Sequence, residues 1–580
     1  MNEGTKPTLL FPSRRPLLIG VFFICALVLG WRVVDLQLNE RDFLQGHGEA
    51  RYSRVKQIES DRGIVFDRNG EALAISIPSA SAWAEPKVLM ENRERWLDLA
   101  DAIETPLGDL ETLITDRLNR KLLLLRRQLT PEQSQRVSEL GLMGVSLQED
   151  SRRYYPSAEV TSHVVGFTNI DDEGQEGVEK KFDESLKAIP GLRRVIKDRL
   201  GRVIEEVEEV RKRKEGEPVH LSIDDRVQYA AYRALKTAVH RHAASAGSMV
   251  ILDVHTGEIL ALVNQPSFNP NDRSGFKAEN LRNRAVTDLF EPGSTAKPFT
   301  IAAALESKHY ETGSVVDTAP GFFKIGHHTV TDTENFGNLD LTAILVKSSN
   351  VGASKIALSM EPILLWNMFQ AVGLGASTDI ALPGEIKGRL KHYSDWREIE
   401  HATQSFGYGI SLNVIQLARA YAVIANGGWL RKISIEKLES PVPKERALRQ
   451  ETTEKLLSML TQVVDSGTGK KAQVKGYSVA GKTGTVHKST ASGYASNRYL
   501  SLFAGIIPAT RPELVAVVVI DEPRRGEYFG GLVSAPVFAS AMSETVRLLD
   551  IQPDRSFSDT YTDILDGEQS WVEKSNEVFP

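Results

Sequence analysis

Two serines, two lysines and an asparagine fall in an order suited to acyl transfer. Ser294-Thr295-Ala296-Lys297 reads S-x-x-K, Ser348-Ser349-Asn350 reads S-x-N, and Lys482-Thr483-Gly484-Thr485 reads K-T-G-T. Such a set supplies a hydroxyl nucleophile, an amine to take its proton and a second cation to tune that amine. Single matches carry little, because S-x-x-K recurs at Ser53–Lys56, Ser274–Lys277 and Ser434–Lys437, and S-x-N at Ser267–Asn269 and Ser411–Asn413. The ordered set is specific. Ser294 also has a distinctive setting: Glu291-Pro292-Gly293 predicts a turn, and the Ala-rich run from Thr295 to Leu305 predicts a buried helix beginning beside it.

Residues three apart on a helix share a face, so the Lys297 amine reaches the Ser294 hydroxyl. The amine takes that proton only when neutral. Burial and a neighbouring cation both lower a lysine pKa, and Lys482 is the candidate cation. The first motif therefore depends on the third.

Three rival readings fail on context. Gly476-Tyr477-Ser478-Val479-Ala480-Gly481-Lys482-Thr483 matches the phosphate-cradling G-x-x-x-x-G-K-[ST]. That loop opens a helix, whereas Gly484-Thr485-Val486 favours a strand. His327-His328 lacks a third ligand at metal spacing and reads as a surface loop, so no metal is expected. The sequence contains no G-x-S-x-G elbow, the signature of an α/β-hydrolase nucleophile.

Positioning residues nearly 200 apart takes a large fold. At 580 residues the chain predicts two or three domains, and its net charge of −6, with both signs interspersed, does not suggest a nucleic-acid surface. The basic run Arg211-Lys212-Arg213-Lys214 has acidic flanks and reads as a solvated linker. From Leu17 to Trp31 there is no charge, which predicts an uncleaved membrane helix. Lys6, Arg14 and Arg15 precede it, leaving the short N-terminus cytoplasmic and the remainder exported. The only cysteine, Cys25, lies inside that span, so the exported part needs no disulfides.

After the anchor, Arg62–Ile75 reads as two strands joined at Asn69-Gly70, Trp96–Leu142 as helical, and Gly191–Ile204 as short strand-like runs. A new unit starts at Val219. Gly247–Asp253 and Thr256–Val263 form a hairpin, and Ser501–Pro508 and Leu514–Asp521 are buried-strand candidates. Strands bracketing helices predict an α+β fold with an antiparallel sheet and helices packed on it. The expected boundaries are a cytoplasmic N-terminus at 1–15, a membrane helix at 16–36, an elongated α+β domain at 37–216, the motif-bearing domain at 217–551 and a loose tail at 552–580.

From the anchor to about residue 550 the chain resembles the class B penicillin-binding proteins, bacterial cell-wall D,D-transpeptidases, and among them the division-specific type. Beyond the three motifs, the likeness rests on Trp31–Gln37, Arg62-Gly63, Asp67–Gly70, Arg284–Asp288, Ser405–Gly409, Phe503–Thr510 and Tyr528–Gly531. The resemblance makes 37–216 a pedestal or dimerisation-like domain and 217–551 a transpeptidase domain. It implies that Ser294 attacks peptidoglycan stem peptides ending in D-Ala-D-Ala after Lys297 takes its proton. The N–H groups of Ser294 and Thr485 would form the oxyanion hole, and Ser348 and Lys482 would relay the proton. Asn350, Thr483, Gly484 and Thr485 would bind the donor peptide, and Tyr408 the cleft wall. An amine from a second stem peptide would accept the acyl group, and β-lactams would acylate Ser294 and stay. No cofactor is implied. The resemblance further implies a single-pass inner-membrane protein with a periplasmic catalytic domain, a separate glycosyltransferase polymerase and other division proteins as partners. The rivals are a membrane-anchored β-lactam sensor, a β-lactamase and a non-catalytic division scaffold.

Overall fold

The computed structural model describes residues 15–41, 43, 53–58, 60–197, 203–440, 442–490 and 493–555. The charged residues Lys6 and Arg14, the middle of the Gly191–Ile204 run and most of the expected tail lie outside these. The chain divides into two compact units, one holding residues up to Ser60 with Ala188–Glu215, the other Asp61–Lys187 with Gly216 onward.

In the first unit, helix α1 (Arg15–Val34) continues into a turn at Asp35–Asn39, and Pro16–Asn39 is long and apolar enough to cross a membrane. A three-stranded antiparallel sheet follows in the order Ser53–Ile58, Gly191–Lys197, Val203–Arg211. Opposite charges face each other across it, Arg193 with Glu209 and Arg194 with Glu208. The basic run is therefore not a free linker. Arg211 ends a strand, and the Lys214 N–H and C=O both pair with Ile189 while its side chain stays exposed.

In the second unit, Val65–Phe66 and Ala72–Ala84 form the expected hairpin, with Gly70 at φ 90° in its turn. Leu123–Leu129 and Val145–Tyr154 flank the long strand. The expected helical stretch over Trp96–Leu142 needs correction. Helices at Trp96–Ala102, Leu107–Thr115 and Pro131–Leu140 are interrupted by the strand Leu123–Leu129. Leu123, Leu125 and Leu129 turn inward and Arg126 outward, so pairing with Ala80–Ala84 overrides the helix preference of Leu and Arg.

Beneath this sheet Glu179 holds two guanidiniums. Its Oε2 accepts from Arg62 Nε and its Oε1 from Arg153 Nε, both at 2.7 Å, and the glutamate side chain is fully buried. Removing the shared anion leaves the buried Arg153 without its ion-pair partner and Arg62 with Asp183 alone. Glu179→Ala should therefore lower stability by about 3–5 kcal/mol. Urea denaturation checks this, and an unchanged midpoint would refute it.

The rest of the second unit is layered. Helix α2 (Asp225–Arg241) precedes the hairpin β1 (Ala246–Asp253) and β2 (Ile259–Gln265). Helices α3 (Lys297–Glu306), α4 (Leu341–Lys347), α5 (Asn350–Leu358), α6 (Val414–Ala425) and α7 (Gln450–Asp465) follow. Strands β3 (Ala480–Thr490), β4 (Gly493–Ile507) and β5 (Leu514–Asp521) and helix α8 (Gly530–Leu548) complete it. The five strands form one antiparallel sheet in the order β2-β1-β5-β4-β3. Alternate β5 side chains feed two cores: Val515, Val517 and Val519 pack with α3, α6 and α7, and Ala516, Val518 and Ile520 with α2 and α8. Helices on both faces explain why β5 reads as an unbroken apolar run. Strand β3, carrying the third motif, is left at the sheet edge.

Candidate active site

Ser294 sits in a single 3₁₀ turn, Gly293–Ala296, that leads directly into α3. Proline is tolerated at the second position of α3 because the first N–H groups of a helix have no partner within it. Every residue of α3 from Lys297 to Leu305 is buried, so the Lys297 amine reaches Ser294 through an apolar core. Its Nζ lies 3.0 Å from Ser294 Oγ.

The second motif lies at a sharp joint. Ser348 ends α4 in the left-handed conformation, φ 60° and ψ 38°, and Ser349 caps α5. A non-glycine residue held this way stores strain of about 1–3 kcal/mol. Here the joint turns the Ser348 hydroxyl between two amines, 3.1 Å from Lys297 Nζ and 3.0 Å from Lys482 Nζ. Lys297 Nζ also donates to the Ser348 carbonyl at 2.5 Å and to Asn350 Oδ1 at 2.8 Å.

Two ammonium groups sharing one hydroxyl in a dry site repel each other. Burial, and then the charge of Lys482, hold Lys297 well below the usual lysine range, with Asp332 opposing them. Burial brings Lys482 down to about 7. A neutral amine within reach of a serine hydroxyl is the arrangement that activates a nucleophile.

Strand β3 supplies the facing wall. The Thr483 and Thr485 hydroxyls are held by Thr468 Oγ1 at 2.7 Å and by the Gly530 N–H at 2.9 Å. Gly484 lets the Ser294 turn approach: a Cβ there would sit 3.1 Å from both Thr295 Cγ2 and Leu502 Cδ1. The segment Ser405–Gly409 closes in from the other side. A Cβ on Gly407, at φ 83°, would lie 2.2 Å from the Gly293 carbonyl, so only glycine fits against the Ser294 turn. Thr300 Oγ1 donates to the Ser405 carbonyl, the Gly409 N–H to Glu291 Oε1, and the Tyr421 hydroxyl to the Thr295 carbonyl. Tyr408 packs edge-on against Phe406, and burial raises its phenol pKa.

The structure thus brings Ser294, Lys297, Ser348, Asn350 and Lys482 together, with Thr483, Gly484 and Thr485 on the adjoining strand and Tyr408 on the segment against the Ser294 turn. The decoys scatter. Ser274 Oγ donates to Asp272, Ser434 Oγ to the Glu436 carbonyl, and Lys437 reaches the Arg68 carbonyl. The run Gly476–Thr483 enters strand β3, not the helix that a phosphate loop needs.

Two features escaped the sequence reading. Asp332 binds the start of α5, and its place between His327-His328 and Gly337 gave no motif. A column of rings, His487, Tyr499, Tyr528 and Phe529, stands by the far half of β3, with successive centroids 4.7, 4.1 and 4.4 Å apart. Only the chain fold aligns them, although the run Tyr528–Gly531 already stood among those carrying the family likeness.

An antiparallel sheet between two helix layers, with a serine–lysine pair at a helix start and a second lysine on the edge strand, defines a serine acyltransferase of the penicillin-recognising class. The comparisons bear this out. The family model described as "Penicillin binding protein transpeptidase domain" matches residues 247–543, and "Penicillin-binding Protein dimerisation domain" matches 57–221. The peptidoglycan D,D-transpeptidase FtsI of Escherichia coli strain K12 is 42% identical over 550 residues, 93% of this chain and 92% of the relative. The probable peptidoglycan D,D-transpeptidase PenA of Neisseria gonorrhoeae is 36% identical, covering 92% of each. Among solved structures, the apo transpeptidase domain of Burkholderia pseudomallei penicillin-binding protein 3 aligns at 41% identity with TM-score 0.54, over 58% of this chain and 98% of that one. This chain belongs to the penicillin-binding protein transpeptidase family, and its dimerisation region places it in class B.

Proposed function

We propose that the chain cross-links peptidoglycan stem peptides as a D,D-transpeptidase during septal wall synthesis, through an acyl-enzyme on Ser294. The observation that carries this is the buried Lys297 amine, 3.0 Å from Ser294 Oγ, with Ser348 Oγ bridging it to Lys482. Lys297 takes the Ser294 proton as Oγ attacks the carbonyl of the penultimate D-alanine. The N–H groups of Ser294 and Thr485 stabilise the oxyanion. Lys482 and Ser348 pass a proton to the departing D-alanine amine, and an amine of a second stem peptide then takes the acyl group. The donor peptide lies as an added strand along edge strand β3. Asn350 holds its amide, the Thr483 and Thr485 hydroxyls take its carboxylate beside Gly484, and Tyr408 lines the cleft. β-Lactams acylate the same hydroxyl.

In this reading residues 217–551 form the catalytic domain, and 37–216 the pedestal or dimerisation-like domain that precedes it in the chain. The helix at 16–36 anchors the chain in the bacterial inner membrane with the catalytic domain in the periplasm. A separate glycan polymerase and other division proteins are its partners.

Intact-protein mass spectrometry of the full chain in detergent with benzylpenicillin tests the proposal. A stoichiometric adduct should persist for many minutes, because a transpeptidase admits a positioned amine to the ester and keeps water out. Rapid loss of the adduct with consumption of drug would make the protein a β-lactamase, and no adduct would make it a scaffold.

A further inference from the structure

Asp332 follows the strand His328–Thr331, and its N–H is pinned to the Gly321 carbonyl at 2.9 Å. Its carboxylate reaches across to the start of α5. Oδ1 accepts the Asn350 and Val351 N–H groups at 2.5 and 3.0 Å, and Oδ2 accepts the Ser349 hydroxyl at 2.5 Å. Ser349 Oγ in turn accepts the Gly352 N–H at 2.8 Å. The first three N–H groups of α5, which have no partner within the helix, are thus satisfied by one carboxylate and the hydroxyl it orients.

Helix capping alone would not require this arrangement, because Ser349 already provides a cap. What Asp332 adds is a link to the reacting groups. Asn350 is the first residue of α5, and its side-chain amide donates to the Thr331 carbonyl at 3.1 Å, which turns Oδ1 toward Lys297 Nζ at 2.8 Å. Ser348, on the other side of Ser349, is held left-handed with its hydroxyl between the two lysines. Residues 331–332 therefore grip the joint from one side while Lys297 and Lys482 read its position from the other. Free of that grip, the joint can relax toward an unstrained backbone, and the bridging oxygen moves.

We infer that Asp332 is a positioning residue for acyl transfer: its carboxylate fixes the Ser348–Asn350 joint and, through it, the place of the Lys297 amine. The inference rests on the acyl-transfer reading above. The groups facing that amine are Ser294 from the nucleophile turn, Ser348 and Asn350 from the joint, Lys482 from β3, and the carboxylate of Asp332 behind the joint. Asp332 is the anion that favours the charged amine against burial and Lys482. Its loss should therefore show both in rate and in pH dependence.

The test compares the full chain with its Asp332→Asn and Asp332→Glu variants, following the second-order rate of acylation by benzylpenicillin across pH together with the melting temperature. The Asn variant should acylate at least tenfold more slowly at its optimum. Its acidic limb should move to lower pH, because the amine has lost an anion that held its proton. The Glu variant should keep the limb of the unmodified protein with a lower rate, since the charge remains but the reach changes. An Asn variant with unchanged rate and limb would overturn the inference. So would a slowed Asn variant with an unshifted limb, which marks a merely structural cap. If the Asn variant does not fold, the Glu variant decides, and an unchanged rate there overturns it. Absence of acylation in the unmodified protein would instead sink the functional reading.

Discussion

Ser294→Ala should abolish covalent labelling by a fluorescent penicillin, while Ser274→Ala and Ser434→Ala should label at the unmodified rate. All three serines stand three residues before a lysine, so sequence spacing alone treats them alike. In the structure only Ser294 has its lysine turned onto it. Ser274 lies in an exposed turn with its hydroxyl on Asp272, and the hydroxyl of Ser434 is occupied by the Glu436 carbonyl. Removing the nucleophile leaves no atom to form the ester, and losses on the order of 10⁶-fold accompany such changes in serine acyl-transfer enzymes. Alanine keeps the buried turn intact, so the variant should still melt cooperatively. Gel fluorescence after incubation with the probe reads the outcome, and persistent labelling of Ser294→Ala would move the nucleophile elsewhere.

What the sequence could reveal depended on whether the signal was local. Strand β5 was legible to the residue, because a run such as Leu514–Ile520 is apolar only if both faces are covered. The hairpin turn at Asn69-Gly70 and the start of α3 were legible from turn and helix-start chemistry. Leu123–Leu129 was not, since its residues suit a helix and only its pairing with Ala80–Ala84 makes it a strand. The same divide runs through the site. Ser294 and Lys297 share a helical face, so their meeting follows from spacing. The meeting of Lys297, Ser348 and Lys482 spans 185 residues and was inferable only from the motif set. Asp332 binds two backbone N–H groups, which any sequence possesses, and one serine hydroxyl 17 residues further on, and so it left no pattern to find.

Lys297→Arg should slow acylation of Ser294 by about 10²–10⁴-fold, the usual contribution of a positioned general base. The substitution keeps a cation and a long apolar stem, but a guanidinium does not release its proton in a protein. The pH profile supplies the sharper reading. Only the neutral amine accepts the serine proton, so activity rises with pH through the pKa of Lys297 and is lost as pH falls below it. Burial and Lys482 hold that pKa well below the ordinary lysine value, which places the acidic limb far to the acid side of 10.5. Lys482 contributes through its charge, and because burial brings its own pKa to about 7, that contribution fades above neutrality. Replacing Lys482 with methionine should then move the Lys297 limb to higher pH, since a repelling cation has gone. The arginine variant should show no such limb, only a uniformly slow reaction. Stopped-flow acylation from pH 5 to 10, with melting curves to confirm folding, measures both effects. Acylation of Lys297→Arg at the unmodified rate would remove Lys297 from the role of base and leave the proton of Ser294 to another group.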